Sequence, residues 1–187
     1  MVHPFLSLWE QSYEMVPPLW WKLRGGLPDR WLRIHTLPNS KRYANTESEA
    51  GEIAGRQATT AKALFENDAP VWLVTWRYHP PPGAVELAQP GEKIGVPLVV
   101  AGILAGDEED ATIAVLVGRL RWNASTSASL RRAIADDEGR AMWVHERTAE
   151  VFAPYDGGVD LIFSSVERRD EHRQRFSAWL SAHPDGL

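Results

Sequence analysis

The sequence predicts an α+β fold of mixed α/β composition: a mostly antiparallel or mixed sheet of about five to six strands, with three to four helices packed on it. Three observations carry this expectation. Apolar residues recur at helical spacing in segments that open with capping signals. Runs rich in β-branched and aromatic residues, such as Val71-Trp-Leu-Val-Thr-Trp76, read as strands. Asp156-Gly157 between two short apolar runs is a hairpin signal, because hairpin turns favour residues that tolerate positive φ.

Taken in order, His3-Pro4 precedes Phe5, Trp9, Tyr13 and Val16, a helical stripe with proline in the first turn that Pro17-Pro18 ends. Trp20-Trp21 then falls in a loop, and residues 31–36 read as a strand. Thr46 and Glu49 make a capping-box pattern ahead of Ile53, Ala54, Ala61, Leu64 and Phe65, an apolar stripe that predicts a long helix. Val71-Trp-Leu-Val-Thr-Trp76 is apolar on both alternating faces, as a central strand covered on two sides must be. Residues 79–95 contain Pro80-Pro-Pro82-Gly83 and Pro90-Gly91, which fit neither regular ladder and predict a surface excursion. Residues 98–104 and 113–121 read as strands, and 127–137 as a short helix ending at Gly139. Residues 142–146, 150–153 and 159–163 are strand segments, and a last helix starts near Ser164, packing Val166, Phe176, Trp179 and Leu180.

Composition bounds the function. A chain of 187 residues and 21.0 kDa fits one domain, residues 1–187, with a core of its own. No run reaches the roughly 20 apolar residues of a bilayer span, the N-terminus lacks a signal-peptide pattern, and there is no cysteine, so a cytoplasmic location is the expectation. Cysteine-free sequence also excludes thiolate nucleophiles and zinc-cysteine sites. The six histidines show no H-x-x-x-H or H-E-x-x-H spacing, and the phosphate-loop, dinucleotide and nucleophile-elbow signatures are missing. No metal and no cofactor are expected.

Two features point to sites. Residues 22–42 hold Lys22, Arg24, Arg30, Arg33, Lys41 and Arg42 against the single acid Asp29, on a chain whose net charge is −5. Next to them stands the Trp20-Trp21 pair, and adjacent aromatics with arginine are typical of protein-interface hot spots. The acidic total makes nucleic acid an unlikely partner. The second feature is Pro154-Tyr-Asp-Gly-Gly-Val-Asp160, whose Asp156 and Asp160 flank a glycine pair; a turn is the better reading, with both glycines at positive φ and Asp160 at a strand start.

Asp29-Arg-Trp-Leu-Arg-Ile-His35, Leu37-Pro-Asn-Ser-Lys-Arg-Tyr43, Pro154-Tyr-Asp-Gly-Gly-Val-Asp160 and the closing segment from Arg168 to Ser181 together resemble a bacterial family of domains of unknown function. The resemblance implies a small mixed α/β domain and carries over no catalytic residue. Two function classes therefore stay open. The first is a partner-binding protein of immunity or accessory type, meeting another protein through Trp20, Trp21, Arg24, Arg33, Lys41 and Arg42. The second is a small hydrolase of an anionic or phosphorylated molecule, with His35, Asp156 and Asp160 converging in a pocket. The missing catalytic signatures favour the first.

Overall fold

Capping decides where the first helix begins. His3 is the N-cap, and its Nδ1 accepts a hydrogen bond from the Phe5 amide at 3.2 Å, with Pro4 in the first turn. In the computed structural model, which describes residues 2–79, 95–107 and 111–181, helix α1 runs Pro4–Tyr13 and buries Phe5, Trp9 and Tyr13. It stops before Val16, earlier than expected, because Glu14 takes a positive φ of 48° ahead of the prolines. The Tyr13 hydroxyl donates to the Ala149 carbonyl at 2.5 Å and pins this end to the sheet.

Trp20 and Trp21 are not in a loop: they form the first turn of α2 (Trp20–Gly26), a helix whose N-cap, Leu19, supplies no side-chain acceptor. That missing cap is why the sequence conceals it. Strand β1 (Trp31–His35) follows, then a 3-10 turn, Pro38–Ser40. Helix α3 (Glu47–Leu64) starts as predicted, with Thr46 Oγ1 accepting from the Glu49 amide at 3.2 Å. Next come β2 (Pro70–His79), β3 (Val99–Ala105), β4 (Thr112–Arg121), α4 (Ala128–Ala135), β5 (Met142–His145), β6 (Val151–Tyr155) and β7 (Gly158–Ile162). Helix α5 (Val166–Arg175) and a 3-10 turn, Ser177–Trp179, close the described chain. The α5 cap is Ser165, one residue later than expected, and the helix turns His172 inward onto Phe163 while Val166 is exposed. Most of the predicted 79–95 excursion, residues 80–94, lies outside the described residues.

The seven strands make one antiparallel sheet in the order β1-β7-β6-β5-β2-β4-β3. The fold class is α+β as the sequence indicates, with seven strands among the described residues in place of five to six and five α-helices among them in place of three to four. Helices α1 and α2 cover one face through Phe5, Trp9 and Leu23 against Trp72, Val74, Val117, Val144 and Ile162. The other face carries Leu32, Ile34, Leu73, Trp143, Phe152 and Leu161 beneath residues of α3 and α4 and beneath Phe176, which follows α5. β2 sits between β4 and β5, and its residues 71–75 are all buried, as its doubly apolar pattern predicts.

Candidate functional site

Strand alternation and one pairing assemble the candidate residues. Trp31, Arg33 and His35 project from the same side of β1, and antiparallel pairing sets Arg33 opposite Asp160 and His35 opposite Gly158 of β7. Arg33 Nε and Nη2 donate to the two Asp160 oxygens at 2.8 Å each, a bidentate pair whose carboxylate is 1% exposed. The guanidinium also lies 4.7 Å from the Tyr155 ring and 5.3 Å from the Trp31 ring. Burial, with a smaller opposing contribution from Arg33, pushes the Tyr155 phenol above its ordinary range.

The β6–β7 hairpin closes through the two-residue turn Asp156-Gly157, since Tyr155 pairs with Gly158. The hairpin is as predicted, but neither glycine has a positive φ, so this is not the primed turn that Asp-Gly signals. Asp160 likewise lies inside β7 and not at its start. Glycine at 158 answers a different need: a Cβ there would come within 2.8 Å of the Tyr155 hydroxyl and closer still to the Ile34 carbonyl oxygen. Asp156 Oδ2 accepts from Arg42 Nη2 at 2.5 Å and from the Tyr43 hydroxyl at 2.7 Å, and the Thr36 amide donates to the Gly157 carbonyl at 3.3 Å. The 29–43 and 154–160 motifs therefore meet in space and hold the hairpin tip to the end of β1.

His35 is buried, and its Nε2 has no hydrogen-bond partner among the described residues. Burial and then the Arg33 guanidinium hold its pKa below the ordinary 6.5; Asp160 pulls upward and Arg56 adds to the lowering. His35, Arg33 and Asp160 share one face, with Asp156 at the adjoining tip. Both carboxylates accept from arginine, so neither stands free as nucleophile or base. Lys41 leaves the group: its ammonium pairs with Glu49 at 2.5 Å.

An aromatic row adjoins this seam. Trp20 stacks on Tyr155 with ring centroids 6.2 Å apart and planes 8° from parallel. Trp21 meets Trp20 edge-on at 6.2 Å and Trp76 at 5.6 Å, and Trp76 Nε1 donates to the Pro18 carbonyl at 2.6 Å. Trp21 is 41% exposed in spite of these contacts. The local positive charge is mostly compensated by acids from elsewhere in the chain: Lys22 by Asp107, Arg33 by Asp160, Lys41 by Glu49 and Arg42 by Asp156. Arg24 keeps its charge exposed 5.8 Å from the Trp31 ring, without a salt bridge among the described residues.

A second polar cluster escaped the sequence reading. Glu150 accepts from the Ser164 amide and hydroxyl at 3.2 and 3.0 Å and from Arg168 Nε at 2.5 Å, beside a cavity of about 560 Å³ that His145 and Arg147 also line. Only the i, i+4 spacing of Ser164 and Arg168 at a helix start hinted at a shared partner. His145 Nδ1 accepts from the Arg147 and Thr148 amides at 3.1 and 3.2 Å, which requires a neutral ring. Burial, and next Arg147, keep its pKa below 6.5, against the opposing pull of Glu150, Glu146 and Glu66. Among the described residues no group of three or more His, Asp or Glu is placed to hold a metal ion, and no helix is long and apolar enough to cross a membrane.

Fold and site together define an α+β protein with a seven-stranded antiparallel sheet, whose terminal hairpin is tied to the opposite end of the chain by paired Arg and Asp. The chain belongs to the family described as a domain of unknown function (DUF3885), whose model matches residues 19–184, from just before α2 to beyond α5. No curated protein and no solved structure matches it.

Proposed function

We propose that this chain is a partner-binding protein, of immunity or accessory type, that recognises another protein through the aromatic and basic surface made by α2 and the hairpin tip. The observation that carries this reading is Trp21, well exposed yet fixed edge-on between Trp20 and Trp76. A large aromatic already held in one orientation loses little side-chain entropy on binding, which is what an interface anchor needs. Tyr43 and Arg42, both exposed and both bound to Asp156, extend the surface past the hairpin.

Because internal acids neutralise most of the basic cluster, recognition rests on aromatic area, with Arg24 and Arg42 supplying directed contacts to an acidic or mixed partner surface. Hydrolysis has less support, since Asp156 and Asp160 are both held by arginine. A pull-down from host cells tests the reading, comparing wild type with a Trp21→Ala/Arg24→Ala double variant. The variant should lose one specific protein, because truncating such an anchor removes about 2 kcal/mol or more of binding. Identical captures by both proteins contradict it.

A further inference from the structure

Arg131, on α4, is 4% exposed and has no carboxylate neutralising it among the described residues. Every acceptor it uses is neutral: Nη2 donates to the Ala124 carbonyl at 2.8 Å, Nε to Ser127 Oγ at 3.3 Å, and Nη1 to Gln57 Oε1 at 3.4 Å and the Ala54 carbonyl at 3.5 Å. Three of these four contacts are long, so the guanidinium charge is held but poorly compensated. Burial lowers its pKa. Gln57 of α3 is 1% exposed; its Oε1 accepts from the guanidinium, and its Nε2 has no hydrogen-bond partner among the described residues. Among the described residues, a buried cation without a counterion and a buried amide donor without an acceptor thus stand side by side.

Both line a groove of about 620 Å³ between α3 and α4. Its walls include Ala50, Ile53, Ala54, Ala128 and Ala135, apolar side chains suited to an apolar body, while Glu47, Asp136 and Arg132 also line it, with Arg132 Nε 3.8 Å from Asp136. Arg132 offsets Asp136, which leaves Glu47 to repel a dianion more strongly than a monoanion.

We propose that this groove binds a small monocarboxylate with an apolar body, its carboxylate meeting Arg131 and Gln57 Nε2. The site is separate from the aromatic surface and does not depend on the partner-binding reading. Amide NMR spectra of the full chain, titrated with benzoate and separately with inorganic phosphate, test it. Benzoate should shift resonances around Ala54 and Ala128, and phosphate should leave them in place. Gln57→Glu supplies an internal carboxylate to Arg131 and should keep the chain folded while weakening benzoate binding by about tenfold or more. Arg131→Met should abolish the shifts. Absence of benzoate shifts in α3 and α4, unchanged affinity in folded Gln57→Glu, or phosphate binding as tight as benzoate would each overturn the proposal.

Discussion

Replacing Gly158 with alanine should destabilise the protein far more than the same change one residue earlier. The added Cβ would lie 2.8 Å from the Tyr155 hydroxyl and nearer still to the Ile34 carbonyl oxygen, where ordinary contact begins at 3.4 Å. Tyr155 is wedged between Trp20 and the Arg33 guanidinium, and Ile34 is backbone, so β1 has to retreat from β7 by on the order of 1 Å. The ladder around His35–Gly158 and Ile34–Val159 then opens. Overpacking of about 1–3 kcal/mol, together with two hydrogen bonds of roughly 1 kcal/mol each, sets the loss at about 3–5 kcal/mol. For a chain of this size that is a drop of roughly 6–20 °C in Tm. At Gly157 the nearest atom is Tyr155 Cε2 at 3.1 Å, which asks for a shift of only a few tenths of an ångström where Gly158 asks for about 1 Å of backbone. Arg42 Cγ at 3.5 Å is ordinary contact, so Gly157→Ala should cost less, about 1 kcal/mol. Thermal melts of the two variants decide it: a harmless Gly158→Ala, or a Gly157→Ala that is the worse of the two, refutes the close-approach reasoning.

Arg33→Met should cost roughly 3–5 kcal/mol in urea denaturation by stranding the buried Asp160 carboxylate, and an added Asp160→Leu should recover part of that loss. Stability should fall on acidification: His35 and His145 have folded pKa values below 6.5, so the unfolded chain takes up protons first as pH drops through 6.5, and full stability is present only above that value. His145→Gln should flatten the fall in Tm as pH drops below 6.5, and a profile unchanged in slope counts against the neutral-ring assignment. Chelator should leave Tm unchanged, and a loss restored by one cation would show a metal site.

What the sequence made legible follows local physics. Pro4 in a first turn and the Thr46–Glu49 capping pair are local signals, so both helix starts could be read, and the doubly apolar run of β2 announced its covered position. Helix α2 was hidden because Leu19 offers no cap. Residues 31–36 were readable as a strand, but the partnership of Arg33 with Asp160 joins residues 127 positions apart and depends on β1 lying beside β7. Strand order is not written locally. The same limit inflated the basic cluster, whose compensating acids Asp107, Asp156 and Asp160 arrive from distant segments. The Asp-Gly signal gave the hairpin and missed the conformation, because the close approach of β1 to Gly158 is a tertiary demand.

The aromatic surface itself can be probed in place. A photo-crosslinking phenylalanine analogue at position 21, activated in host cells, should give one discrete adduct with another protein. The same analogue at Val166, exposed at the start of α5, should not give it. Matching adduct patterns from both positions, or none from position 21 in protein that melts like wild type, would contradict recognition through Trp21.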